Sequence, residues 1–109
     1  MNKFELVVII VNSGFSEVAM NAARDEGARG GTIIHARGAG TKVVEEKYGI
    51  IITPEKEMIL ILVNKNIKDK VLSAVYKAAG LATDGQGIAF ALPVTNVVGL
   101  KFDSIEESK

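Results

Sequence analysis

Two short stretches constrain the fold more than anything else in the chain: FELVVIIVN at residues 4–12 and EMILILV at residues 57–63. Both are almost unbroken runs of aliphatic side chains, rich in Val and Ile, and both are too short for a buried helix of ordinary length. They read as strands that carry apolar side chains on both faces. Such strands need cover above and below the sheet. A chain holding two of them is therefore not expected to stand alone as an open sheet with one wet face.

The segments around these runs complete a pattern. An N-S-G-F-S break follows the first run, and Ser13 or Ser16 is placed to cap a helix over about 16–26. Val18, Ala19, Ala22 and Ala23 share one face of that helix, and Gly27 is its natural stop. GTIIHAR, residues 31–37, is a second strand. Residues 66–79 place Ile67, Val71, Leu72, Val75 and Ala78 or Ala79 on one helical face, closed by Gly80. IAFALPV, residues 88–94, is a fourth strand, with Pro93 near its end where a missing N–H is tolerated. TNVVGLKF, residues 95–102, is compatible with a short edge strand, and residues 103–109 are a polar tail.

The order is βαββαβ, which as a split βαβ repeat gives an α+β domain: a four-stranded antiparallel sheet with both helices on one face. A single domain over residues 1–102 is expected. The helices cover one side of the sheet. The simplest cover for the other is a second copy of the chain, so a homo-oligomer packed sheet to sheet is expected.

Composition narrows the function classes. The 109 residues carry 13 basic and 13 acidic side chains, so no global charge pulls the chain toward nucleic acid. There is no cysteine, which removes disulfides, thiolate metal sites and a cysteine nucleophile, and fits a reducing compartment; a cytoplasmic location is expected. No apolar run approaches the ~20 residues of a membrane span, so no direct membrane insertion is expected, and the N-terminal run reads as a strand rather than a signal peptide.

Candidate chemistry is sparse. His35 is the single histidine, sits within a strand and reads as structural. Glu45-Glu46 and Glu106-Glu107 read as solvated charge, and Asp84 as a turn residue. No catalytic constellation has recognisable spacing, so the protein is expected not to be an enzyme. Two glycine-rich turns say more. Gly38-Ala39-Gly40 lets successive N–H groups point toward an anion, with Arg37, Thr41 and Lys42 adding charge and a hydroxyl. Gly85-Gln86-Gly87 offers the same geometry elsewhere. Neither is a dinucleotide fingerprint or a Walker motif, and either taken singly reads more readily as a turn. Between them, residues 38–56 form a long charged connection of the kind that is usually functional or disordered.

The strand order, the loop after GTIIHARGAG, the turn TDGQG and the following IAFALPV together resemble the nitrogen-regulatory PII signal-transduction family, in particular its divergent PII-like branch. The resemblance spans residues 3 to 101 and is weakest between 41 and 56. It implies a ferredoxin-like domain in a compact homotrimer that binds an adenine nucleotide between subunits. The ligand expected is ATP, ADP or AMP, with no cofactor and no metal site. The long loop, residues 38–56, would correspond to the family's flexible T-loop, which docks on a regulated protein; membrane transporters are among the family's targets. Residue by residue, Thr32 and Leu62 would lie near the adenine. Gly38, Ala39 and Gly40 would form the loop base, and Gly85, Gln86 and Gly87 would wrap the phosphates. Arg37, Lys42 and Lys101 would be the phosphate partners, Thr41 would add a hydroxyl to the nucleotide site, and Val43, Val44 and Tyr48 would face the regulated protein. The chain departs from the family at Ile88, where a lysine is usual, at Gly99 and Lys101, where an arginine pair is usual, and at Thr41-Lys42, where a glutamine helps to hold magnesium and 2-oxoglutarate. The alternative reading from another class is a CutA-like trimeric metal-binding or scaffolding protein without nucleotide.

Overall fold

The computed structural model describes residues 3–39, 49, 54–81 and 87–100. Its elements run β1 (Phe4–Asn12), α1 (Ser16–Asp25), β2 (Thr32–Arg37), β3 (Glu55–Asn64), a 3-10 turn (Lys65–Ile67), α2 (Lys68–Ala78) and β4 (Gly87–Val94). The four strands form one antiparallel sheet in the order β2-β3-β1-β4. This is the expected ferredoxin-like arrangement.

Alternation along the strands sorts the side chains into two layers. Val7, Ile9 and Val11 of β1 stand opposite Ile61, Ile59 and Glu57 of β3, and all six face the helices. Ala19, Met20 and Ala23 of α1 and Val71, Val75 and Ala79 from the α2 end close the core over them. Each fully buried Val or Ile here contributes about 1.5–3 kcal/mol relative to exposure. The buried stripe of α1 is Ser16, Ala19, Met20 and Ala23. Val18, expected on that stripe, is exposed instead, because the i, i+3, i+4, i+7 line runs one position away from it. The inward alanine is Ala79, just past α2, and Ala78, its last residue, is exposed.

Both helices end at the expected glycines. Gly27 N donates to Arg24 O and Ala28 N to Ala23 O, the paired bonds of a Schellman stop; Leu81 N donates to Tyr76 O after Gly80. The start of α1 differs from expectation. Neither Ser13 nor Ser16 is its N-cap; that position is Phe15, which makes no side-chain capping bond. The cap comes from Glu57 of β3, described below.

β3 begins at Glu55, two residues inside the segment 38–56 expected as loop, because the β2–β3 ladder runs down to Arg37↔Glu55. No strand forms over residues 95–100, the described part of the expected edge strand. The second face of the sheet is apolar, as expected. Ile34, Met58, Ile10 and Ile88 form one row across it, and Thr32, Leu60, Val8 and Phe90 the next. Within one chain Ile88 is 57% exposed and Leu92 48%.

Candidate functional site

The end of the sheet where the long connection departs is built differently from the rest. Gly38 N donates to Pro54 O at 2.8 Å, closing the connection at its root. The apolar face ends there in a polar row: Ala36 of β2, Lys56 of β3 and Asn12 of β1 are cross-strand partners. Lys56 Nζ donates to Asn12 Oδ1 at 2.6 Å. A Cβ on Gly38 would meet Pro54 Cγ at 3.2 Å and Lys56 Cε at 3.3 Å, so a side chain at position 38 would press on the lysine. Lys56 is a cation at the root of the loop that is absent from the sequence candidates, because Glu55 and Lys56 fall within the segment 38–56 expected as loop. The signal was present: in EKEMILILVN, Lys56 is in phase with Met58, Leu60 and Leu62.

On the helix-facing side of the same end lies Glu57, a carboxylate only 8% exposed. Its Oε1 accepts from Gly14 N at 3.2 Å, in the turn before α1, and from Ser16 N at 3.3 Å, the first amide that α1 leaves open. The Ser16 hydroxyl bonds the carboxylate and, with those amides and the nearby His35, holds its pKa below the ordinary 4.5 against the opposing effect of burial. His35 Nδ1 lies 3.8 Å from Glu57 Oε2, with the imidazole 82% exposed. The single histidine therefore stands on the surface beside a capping carboxylate. Among the described residues no three His, Asp or Glu side chains gather as a metal site would require.

The residues singled out in the sequence divide by face. Thr32 and Leu62 share the apolar face with Lys56, displaced along the strands by four and six residues, roughly 13 and 20 Å. Arg37 is one step out of phase with Ala36 and lies on the opposite side, with Ile33 and His35. Gly38 forms the root bond, and Ala39 is exposed. Gly87 opens β4 opposite Val11, at the same end of the sheet. It has φ +144°, and a Cβ there would fall on the Ile10 carbonyl oxygen, so only glycine lets the chain enter the strand at that point. Gly40, Thr41, Lys42, Val43, Val44, Tyr48, Gly85, Gln86 and Lys101 lie outside the described residues.

Gly38 and Gly87 are thus at one end of the sheet but on opposite edges, with β3 and β1 between them, roughly 14 Å across. A groove of about 440 Å³ runs beside the β4 edge, lined by Leu72, Tyr76, Leu81, Gly87, Ile88 and Ala89. A larger depression of about 610 Å³, between Glu26, Asp69, Lys70 and Lys77, contains no residue of either glycine turn and carries both signs of charge.

These elements define a ferredoxin-like domain whose longest connection leaves from a closed, polar root at one end of the sheet. A model of the family described as nitrogen regulatory protein P-II matches residues 4–104, and the chain belongs to that family. Among solved structures, Arabidopsis thaliana PII bound to citrate is similar over 91% of this chain and 84% of its own, with a TM-score of 0.68 and 26% sequence identity. No curated protein sequence matches the chain. Membership makes it a regulatory signalling protein. No helix among the described residues is long and apolar enough to cross a membrane.

Proposed function

We propose that this protein is a non-enzymatic regulator that senses an adenine nucleotide in the cleft between neighbouring copies and passes the signal to a partner protein through residues 38–54. One observation carries the reading: the loop root, with Gly38 and Lys56, and the Gly87 edge lie at the same end of the sheet on opposite edges. In one chain they are too far apart to hold one phosphate group. Edges of two copies, set side by side, would bring a root and a Gly87 turn together.

Further observations support it. The open apolar face needs cover, and a ring of copies supplies it; the family points to three. Lys56 and Arg37 supply cations near the root, as a polyphosphate requires. The similar Arabidopsis protein is bound to citrate, a compact polyanion. Ligand binding would order the loop and change the surface that Val43, Val44 and Tyr48 present. Such a switch works only if nucleotide prefers one loop state over the other. The regulated protein belongs to the family's range of targets, a membrane transporter among them.

Calorimetric titration of the purified protein with ATP, ADP and AMP tests the reading. A saturable heat and a raised melting temperature with at least one of them are expected. Neither signal at millimolar nucleotide overturns the sensing role.

A further inference from the structure

The polar row at the loop root contains one contact that ligand binding alone leaves unexplained. A lysine has a flexible four-carbon stem and about 2 kcal/mol of rotamer entropy, so on a strand end it would sample many poses. The tip of Lys56 is held by one bond, and its stem lies beside Gly38. Its Nζ donates to Asn12 Oδ1 at 2.6 Å, across a directly paired position of β1 and β3. Its Cε and Cγ lie 3.3 and 3.5 Å from where a Cβ on Gly38 would stand. Asn12 is a neutral acceptor, so it fixes the ammonium without cancelling its charge. An ammonium has three donors, which leaves two beyond this bond.

We infer that Asn12 is a positioning residue for the ligand site. It holds Lys56 in one cationic pose beside Gly38, so that a phosphate or carboxylate arriving at the loop root meets an ordered donor. The inference rests on the reading of the root as an anion site. The residue type is what selects the ligand. Alanine at position 12 would release the lysine into many rotamers. Aspartate would hold it in the same place and neutralise it, repelling the anion.

The test uses the full chain as wild type, Asn12→Ala and Asn12→Asp, with inorganic triphosphate and ATP as separate probes. Affinity is read by calorimetry, melting temperature is read alongside, and acylation of the Lys56 amine is followed by mass spectrometry. Asn12→Ala should weaken both probes about five-fold, the worth of one modest hydrogen bond. Asn12→Asp should weaken both more than ten-fold while melting no lower than wild type, and Lys56 should be acylated faster in Asn12→Ala than in wild type. A structural pair without a role in binding predicts wild-type affinity in Asn12→Asp, and that result overturns the inference. If neither probe binds wild type, the ligand reading itself fails, and the amine decides the positioning separately: faster acylation in Asn12→Ala supports it, and equal acylation in the two proteins overturns it.

Discussion

At the scale of single residues, the polar groups at one end of the sheet make the sharpest predictions. Glu57 caps α1 from across the sheet, and its folded-state pKa lies below the ordinary value. The folded protein therefore gives up this proton more readily than the unfolded chain. The stability it contributes is present above the unfolded pKa and is lost as pH falls through the folded one. Glu57→Gln should melt lower than wild type at pH 7, and the gap should close below about pH 4; melting curves across that range check it. Gly87→Ala should cost about 1–3 kcal/mol in urea denaturation, because the new methyl meets the Ile10 carbonyl at a backbone angle that other residues avoid. Gly38 at the loop root and Gly87 at the start of β4 were both legible in the sequence. Lys56 was not, because a charge just ahead of an apolar strand reads as the end of a loop, and only the partner strands show that the ladder continues through it. Glu57 reads as the first residue of the strand, but its bond to the start of α1 spans 41 positions in sequence. Asn12 likewise reads as the residue that ends a strand, and its contact is 44 positions away in sequence.

At the scale of elements, the strands and the helix stops followed directly from the sequence. Short, near-continuous apolar runs marked β1, β3 and β4, and Gly27 and Gly80 marked the helix ends. The start of α1 was misread because a serine near a helix start suggests a local cap, whereas here a distant carboxylate outcompetes it. Core positions on these elements should behave differently from open-face positions. Ile59→Ala, which removes a fully buried side chain under the helices, should destabilise the chain by about 2–5 kcal/mol. Substitution of Leu92, half exposed on the other face, should leave the fold of one chain largely intact. Comparing the two variants in denaturant separates the inner layer from the outer one.

At the scale of the whole molecule, the apolar second face and the opposed glycine edges point to the same assembly. Ile34, Phe90 and Leu92 lie on the open face of a four-stranded sheet whose other side is closed by helices. Phe90→Asp should dissociate the assembly while leaving secondary structure in place, as light scattering with circular dichroism would register. Loss of assembly should also abolish nucleotide binding if, as proposed, each site takes its root from one copy and its Gly87 edge from another. The loop root is proposed as the anion-binding half of that site. The most direct measurement is an ATP titration by calorimetry of wild type beside Lys56→Ala. One saturable site per chain in wild type and at least a ten-fold loss of affinity in Lys56→Ala are expected. No heat in wild type at millimolar ATP, or equal affinity in the two proteins, would contradict that proposal.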